Sequence, residues 1–338
     1  DASGNCLGLL VEEARTNLIP NSESLDVSSN RAIAESSLSP TGEQTAQTWR
    51  VNGSASATPY MYQFPNIASG TTYTCSVFVR LPTSGPTVES RYIRLSSQST
   101  IQGGAAIFDL QEGTVVSSNM LSESITPVGN GWYRISVTNI AASSGVSFSF
   151  ILWPIINAAG NLYVNSASDD GKALFETFGM QTEAGSFPTS YIPTSGSAVT
   201  RAADVASLAV SKFGYNQDQG TVFINCLITE QPSQNLRVID GNSSLKRWMY
   251  VNNPNNDYGL NYYDGTNNIT LVGSGIPLNM KAAVAVTPTQ VFGAANSSNV
   301  GSGAHSGTLL DISQFNFFAN LNGHIKSVQY YPLRLSNA

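Results

Sequence analysis

Residues 178–205 constrain the fold of this chain more than any other stretch of the sequence. The stretch begins as the end of a strand and then passes through Gly185, Pro188, Pro193 and Gly196 before an apolar segment resumes. Glycine and proline at this density interrupt regular structure, and strand-like patterns lie on both sides. A chain of 338 residues is long enough for two domains that each bury a core. The stretch therefore predicts a joint between two domains.

Short runs of alternating apolar and polar residues, bounded by turn residues, fill both halves of the chain. This pattern is typical of half-buried strands, and it predicts an all-β protein with two β-sandwich (jelly-roll) domains in tandem. The predicted boundaries are 1–20 for an N-terminal strand and connector, 21–195 for the first sandwich and 196–338 for the second. One short helical turn is predicted around 312–315. The predicted strands lie at 46–51, 72–80, 92–95, 106–110, 132–138, 147–152, 175–180, 220–228, 236–240, 248–251, 258–263, 280–286 and 323–332.

The composition argues against two classes of partner. Only 11% of the residues are charged, the net charge is −6, and no run of Lys or Arg occurs, whereas binding to a phosphate backbone relies on clustered cations. The longest apolar run, 146–156, is shorter than the roughly 20 residues of a spanning helix and contains Pro154. We therefore expect no nucleic-acid partner and no membrane insertion.

The cysteines do not predict a disulfide framework. Cys6, Cys75 and Cys226 are an odd number and lie far apart, and the last two fall in apolar strand-like runs, where a free cysteine packs as a small hydrophobic residue. The first residue, Asp1, is not an initiator methionine, which favours a processed chain or one piece of a longer polypeptide.

The residues that could support catalysis are few and badly spaced. His305 and His324 are the two histidines of the chain, and neither lies in a spacing that is typical of zinc sites. Glu12 and Glu13 are adjacent, so a strand would point them to opposite faces. The acids of the second half fall mostly in turns, without the pair of carboxylates that glycoside hydrolysis requires. The sequence predicts no catalytic residues and no cofactor.

The best candidate ligand site is a dense mixture of aromatic, amide and acidic residues in the second half. Aromatic rings stack on the apolar face of a sugar while amides and acids bind its hydroxyl groups. Three alternatives remain open: the aromatic residues pack in the core, Asp264 and Gly265 form a hairpin turn, or Asp and Asn oxygens bind calcium. The predicted carbohydrate-binding residues are Trp248, Tyr250, Asn253, Asp257, Tyr258, Asn261, Tyr262, Tyr263 and Asp264.

Aromatic residues of the first half raise the same question without an answer. Trp132 follows a glycine at the start of a predicted strand, and we expect it in the core. Tyr60 and Tyr62 are two residues apart, so a strand would point both to the same face. Trp49 and Trp153 are distant from them in the sequence. No group of polar residues converges on them in the sequence, so no site is predicted there.

Several motifs resemble a known family. The segments are 8–18 (Gly-Leu-Leu-Val-Glu-Glu-Ala-Arg-Thr-Asn-Leu), 180–185 (Met-Gln-Thr-Glu-Ala-Gly), 189–194 (Thr-Ser-Tyr-Ile-Pro-Thr) and 199–204 (Val-Thr-Arg-Ala-Ala-Asp). Together they resemble a signature that joins two β-sandwiches in bacteriophage virion fibre, spike and tail proteins. The order of 70–79, 131–138 and 178–183 is similar to carbohydrate-binding modules of the jelly-roll type. The segments 220–223 and 323–337 look like the first and last strands of a concanavalin-like or laminin-G-like lectin domain, in which those two strands pair.

The resemblance implies a function that the residues alone do not. It implies a structural protein of a phage head or tail fibre or spike, on the exterior of the virion, that binds host-surface carbohydrate. Its implied partners are other virion proteins and further copies of itself, with a homotrimer favoured because fibres are usually cyclic oligomers. Two alternatives stay open: a capsid decoration or tail connector that binds no glycan, and a polysaccharide depolymerase.

Overall fold

The structure is a computed structural model that describes most of the chain. The described residues are 6–27, 32–53, 58–63, 65–88, 90–97, 103–142, 144–146, 150–229, 236–240, 247–252, 259–264, 267–272, 278–296, 299–305, 312–319 and 322–336. Contacts divide the chain into two compact units. The first unit is Arg15–Arg201, and the second combines the segment that ends at Ala14 with the chain from Ala202 onward. The boundary after Arg201 lies inside the stretch that we predicted as a joint, a few residues beyond the predicted boundary at 195.

The strands are numbered in chain order. Up to the end of the first unit they are β1 (Leu9–Val11), β2 (Arg15–Asn17), β3 (Asp26–Val27), β4 (Ala32–Ser37), β5 (Ala46–Val51), β6 (Met61–Tyr62), β7 (Asn66–Ile67), β8 (Thr72–Arg80), β9 (Tyr92–Ser97), β10 (Gly104–Asp109), β11 (Thr114–Ser118), β12 (Ser122–Gly129), β13 (Trp132–Ile140), β14 (Gly145–Val146), β15 (Phe150–Ile155), β16 (Ala173–Ala184) and β17 (Val199–Arg201). The remaining strands are β18 (Ala206–Ala209), β19 (Gly220–Ile228), β20 (Leu236–Asp240), β21 (Arg247–Asn252), β22 (Gly259–Tyr263), β23 (Asn268–Val272), β24 (Asn279–Val286), β25 (Gln290–Ala295), β26 (Asn299–Ala304), β27 (Gln314–Ala319) and β28 (Gly323–Tyr331). Two single 3-10 turns, Ala167–Asp169 and Val210–Lys212, are the helical elements of the described residues.

The first unit is a sandwich of two six-stranded sheets. One sheet has the order β11-β10-β9-β15-β6-β3, and the other has the order β12-β13-β8-β16-β5-β4. We call them the β9 sheet and the β8 sheet. Alternate side chains of both sheets meet in one core cluster, for example Leu95 and Leu152 of the β9 sheet with Val77 and Ile135 of the β8 sheet. Each such buried aliphatic side chain stabilises the fold by about 1.5–3 kcal/mol relative to its exposed state.

The second unit is also a sandwich of two six-stranded sheets. Their orders are β1-β28-β19-β24-β25-β26 and β18-β27-β20-β21-β22-β23. The core between them joins residues such as Val222 and Val284 of one sheet to Val238 and Leu260 of the other. The all-β fold class and the two sandwiches are thus as predicted, and β19 pairs with β28 along its length, as the lectin-like motifs implied.

The N-terminal strand does not belong to the unit that follows it in sequence. β1 pairs antiparallel with β28, with Leu10 opposite His324, and so completes a sheet of the second unit. The whole first unit is therefore inserted in the chain between β1 and β18 of the second. The predicted grouping of residues 1–20 as a separate connector differs from this division, because residues up to Ala14 pack with the second unit and Arg15 begins the first.

The predicted helical turn around 312–315 is wrong. β27 begins at Gln314, and Phe315 is buried in the core of the second unit with 1% of its surface exposed. Its alternation with Gln314 and Asn316, which are less buried, is the period-two pattern of a strand. Within the described residues, no helix is long and apolar enough to cross a membrane.

Candidate functional site

The structure describes only part of the carbohydrate site predicted in the second unit. Asn253, Asp257 and Tyr258 lie outside the described residues. Trp248 and Tyr250 belong to β21. The structure describes the backbone of these two residues but not their side chains. Sugar binding by these five residues stays a prediction.

Two of the predicted residues are not accessible at the surface. Tyr262 is 2% exposed and Asn261 is 4% exposed, and the Asn261 amide donates to the Gly259 carbonyl at 3.0 Å. Burial raises the pKa of Tyr262, and Asp264 adds to the shift. Tyr262 packs in the core of the sandwich. Successive side chains of a strand point to opposite faces, so about half of the aromatic residues on a strand point into the core. Both residues therefore leave the set of candidate sugar ligands.

Asp264 has a local structural role. Its carboxylate accepts hydrogen bonds from the backbone N–H of Asn267 at 2.6 Å and from the Asn267 amide at 3.3 Å. The backbone N–H of Asp264 in turn donates to the Asn267 carbonyl, and the neighbouring Tyr263 pairs with Asn268 across the hairpin of β22 and β23. Asp264 thus closes a turn, as the hairpin alternative proposed.

The first unit brings together aromatic residues from distant parts of the sequence. The rings of Tyr60 and Trp153 lie 4.5 Å apart between centroids, and those of Tyr60 and Tyr62 lie 5.6 Å apart. β6 and β15 are paired neighbours, with Tyr62 opposite Ile151. The core residues Met61 and Leu152 are 0% exposed, so the alternating residues Tyr62 and Trp153 point to the outer face of the β9 sheet. We call Tyr60, Tyr62 and Trp153 the aromatic platform.

Hydrogen bonding fixes the orientation of Trp153. Its indole Nε1–H donates to the Ser96 hydroxyl at 2.9 Å, and Ser96, on the neighbouring strand β9, is 2% exposed. A ring with its polar atom satisfied inside the protein presents a fixed apolar surface at low entropic cost. Burial is the main cause of the raised pKa of Tyr62. The negative charges that Asp26 and Tyr60 carry when they are ionised raise it further. Tyr62 therefore keeps its hydroxyl proton at neutral pH.

The outer face of the β8 sheet is covered by the chain itself. Tyr191 lies edge-on to Phe178 at 5.1 Å and to Phe78 at 6.1 Å, and its hydroxyl group contacts the Ser22 hydroxyl at 2.6 Å. Trp132, predicted in the core, is 1% exposed and packs in the same cluster. Because this face is filled by segments of the first unit, the aromatic platform on the other sheet is the better candidate for a ligand.

The motifs at 8–18, 180–185 and 189–194 form a buried polar network. This network holds the segment around Tyr191 against the β8 sheet. Asn17 accepts from the backbone N–H of Thr182 at 3.1 Å and donates to the Ile192 carbonyl at 2.9 Å. Gln181 accepts from the backbone N–H of Ile192 at 2.7 Å. All three polar residues are buried, and buried amides require such partners. The motifs around residues 17, 181 and 192 are therefore explained by folding and do not require a ligand.

Glu183 and Gly185 of the motif 180–185 belong to the same network. Glu183 is 0% exposed and accepts from the backbone N–H and the hydroxyl group of Thr189. Gly185 has a φ of +139°, and a Cβ atom there would lie 1.6 Å from Nη1 of Arg15. Arg15 donates to the Ala184 carbonyl, so the motif needs glycine to admit the guanidinium.

A pocket of about 320 Å³ lies at the edge between the two sheets of the second unit. Its walls come from β18, β27, β28 and the loop at Phe213 and Gly214. The ring of Tyr330 lies 5.1 Å from that of Phe213, and its hydroxyl group accepts from the backbone N–H of Asn216 at 2.9 Å. The lining is apolar and lacks the convergent polar groups that orient a sugar. The lining residues are Leu208, Phe213, Gly214, Phe315, Phe317, Val328, Tyr330 and Pro332.

The histidines and cysteines have structural environments. His305 is 7% exposed, and its Nε2 lies 2.6 Å from the Thr287 carbonyl. Burial lowers the pKa of His324. Burial raises the pKa of Cys75 and that of Cys226 to about 12 each, so both thiols stay protonated. Among the described residues, no group of three or more His, Cys, Asp or Glu side chains is placed to bind a metal ion.

Comparisons with known proteins return structures but no family. No protein-family model and no curated protein matches the sequence. Domains LG4-5 of the mouse laminin alpha1 chain match with 8% identity and a TM-score of 0.27, over 99% of this chain and 94% of that one. A sialidase of Trypanosoma rangeli matches with 12% identity and a TM-score of 0.32, over 86% of this chain and 58% of that one. Similarity this low carries no argument about activity, and the fold class rests on the sheets described above.

Proposed function

We propose that this chain is a non-enzymatic structural protein on the exterior of a bacteriophage particle, in a head or tail fibre or spike. In this proposal its first unit binds host-surface carbohydrate through the aromatic platform. The phage assignment is supported by the motifs at 8–18, 180–185, 189–194 and 199–204. Association into a homotrimer and contacts with other virion proteins belong to the same proposal, because fibres are usually built as cyclic oligomers.

The observation that carries the carbohydrate proposal is the clustering of three half-buried rings on one sheet face. Tyr60 immediately precedes β6, Trp153 lies on the neighbouring strand β15, and their rings lie 4.5 Å apart. Flat, fixed rings that remain partly exposed suit stacking against the apolar face of a pyranose. Asp26 lies opposite Tyr62 in the ladder and is exposed, so its carboxylate is available to accept from sugar hydroxyl groups.

A glycan array with matched variants tests the proposal. The wild-type chain is expected to bind a subset of bacterial surface glycans, while Trp153→Ala and Tyr60→Ala are expected to reduce that binding at least tenfold. Tyr331→Ala is the control, because Tyr331 is an aromatic residue of the second unit that is 38% exposed and outside the platform. Loss of binding in all three variants, or in none, would contradict the proposed site.

Two further measurements separate the alternatives. Labelling of intact particles with an antibody against this chain is expected to mark the exterior. A chain that binds no glycan and is inaccessible in the particle would support a decoration or connector role instead. Release of new reducing ends from host polysaccharide would support the depolymerase.

A further inference from the structure

The aromatic platform continues into a cationic side chain, Arg94. Trp153 on β15 lies directly opposite Arg94 on β9. The register of β6 with β15, Met61 opposite Leu152, places Tyr60 level with Trp153. Trp153 and Arg94 therefore lie side by side on adjacent strands about 4.8 Å apart. Tyr60, the residue just before β6, continues the row on the other side of Trp153, with its ring 4.5 Å from the indole.

Arg94 faces the same side of the sheet as the platform. Its sequence neighbours Ile93 and Leu95 are 0% exposed and belong to the core, so alternation directs Arg94 outward, where it is half-buried. Its Nε–H is shielded from solvent and has no acceptor among the described residues. No ion pair joins Arg94 to an acid within that part of the chain either.

The neighbouring acids do not neutralise Arg94. Asp109 is 2.7 Å from Arg91, with which it forms an ion pair, and it also accepts from the backbone N–H groups of Gln111 and Glu112. Asp26, at the far end of the platform, is three strands away from β9, or about 14 Å at the usual spacing. A half-buried guanidinium without a carboxylate is costly, and it suits a planar anion in bidentate geometry.

We propose that the glycan bound by the platform carries a carboxylate, as in a hexuronic acid, and that Arg94 binds this carboxylate while a sugar ring stacks on Trp153. This inference rests on the proposed carbohydrate function and names the class of sugar. A neutral sugar would stack on the same rings but would leave the guanidinium without a counter-charge.

The test compares acidic oligosaccharides with their own neutral derivatives. The probes are oligogalacturonate, oligomannuronate and hyaluronan fragments, each paired with its carboxyl-reduced form, measured by calorimetry with the full chain. The wild-type chain is expected to bind at least one acidic member about tenfold more tightly than its reduced form, which corresponds to one charge-assisted hydrogen-bonded pair. High salt is expected to narrow that difference.

Arg94→Gln is expected to abolish the preference, so that the acidic and the reduced forms bind with similar affinity. Arg94→Lys, which keeps the charge and loses the bidentate geometry, is expected to retain part of the preference. Equal binding of acidic and reduced forms by the wild type, or a preference that persists in Arg94→Gln, would overturn the inference while leaving the carbohydrate function intact. If no wild-type binding to any acidic or neutral glycan is found, the proposed function fails as well. The circular dichroism and melting temperature of each variant verify folding.

Discussion

Asp204 and Glu12 exchange two hydrogen bonds although they are 192 residues apart in the sequence. The backbone N–H of Glu12 donates to Oδ2 of Asp204 at 2.9 Å, and the backbone N–H of Asp204 donates to the Glu12 carbonyl at 2.8 Å. Glu13 adds a bond from its N–H to Oδ1 of Asn322 at 2.7 Å. These bonds continue the short pairing of β1 with β28 and hold the N-terminal strand in the second unit.

Replacing Asp204 with alanine is expected to weaken the attachment of β1. The variant loses an acceptor at an exposed position, so the free energy of unfolding should fall by only about 1 kcal/mol. The effect should be local, because the end of a sheet with few contacts opens first. Hydrogen exchange measured by mass spectrometry should accelerate in peptides that cover residues 9–13. Asp218→Ala is the control, since Asp218 is an exposed acid of the same unit, and equal acceleration in both variants would disprove a specific role for Asp204.

The buried ion pair of the first unit predicts a much larger loss. Glu176 is 2% exposed and forms an ion pair with Arg80, whose guanidinium also lies 4.6 Å from the centre of the Trp132 ring. Glu176→Gln keeps the shape and removes the charge, so Arg80 stays buried without its counter-ion. We expect a decrease of about 3–5 kcal/mol in the free energy of unfolding in urea.

The exposed pair of Arg50 and Glu35 provides the matched control. Its N–O distance is 2.6 Å, but the Glu35 side chain is 53% exposed, and pairs of this kind contribute about 0–1 kcal/mol. Glu35→Gln should therefore change stability far less than Glu176→Gln. Similar losses in the two variants would mean that burial does not determine the strength of these pairs.

The strands were largely predictable because alternation is a local property of the sequence. The runs predicted at 46–51, 72–80, 220–228 and 236–240 coincide with β5, β8, β19 and β20. Each is a short run rich in apolar residues with interspersed polar ones, and this local pattern needs no knowledge of the partner strand. Other strands were missed where that pattern is weak. For example, all five residues of β11 are exposed.

The sheet to which β1 belongs was not predictable in the same way. Residues 9–11 pair with residues 323–325, and no local feature of either segment encodes a partner that far along the chain.

The aromatic platform could not be predicted for the same reason. The alternation of Tyr60 and Tyr62 was visible, but Trp153 joins them only because β15 pairs with β6. Pairing over such distances depends on the whole fold.

Asp169 predicts a dependence of stability on acid pH. Its carboxylate accepts hydrogen bonds from Lys172, Ser166 and Tyr163, each at 2.8 Å, and these bonds lower the pKa of Asp169 from 3.8 to about 2. A group with a lower pKa in the folded state stabilises the fold above its unfolded pKa. This contribution is lost as the pH falls from about 4 to about 2.

The measurement is a urea denaturation series between pH 2 and pH 7 on the wild type and Asp169→Asn. The difference in unfolding midpoint should be constant above about pH 5 and should shrink as the pH falls below 4. Asp170→Asn is a neighbouring control, because the Asp170 side chain is exposed and accepts only from the backbone N–H of Gly53 among the described hydrogen bonds. A difference that does not change with pH would contradict the assigned cause.

Ser96 is expected to act on carbohydrate binding through Trp153. Its hydroxyl group accepts from the Trp153 indole N–H and donates to the Ile151 carbonyl at 3.4 Å. Ser96→Ala removes the acceptor and leaves the ring free to change its orientation, which adds an entropic cost to binding. We expect glycan affinity to fall about three- to tenfold, as for the loss of one neutral hydrogen bond.

The Trp153 indole N–H should also exchange faster with solvent in the NMR spectrum, while the melting temperature changes little. If affinity falls without faster exchange at that N–H, Ser96 does not act by positioning Trp153. Unchanged affinity would mean that the hydrogen bond to Ser96 does not determine the orientation of the ring.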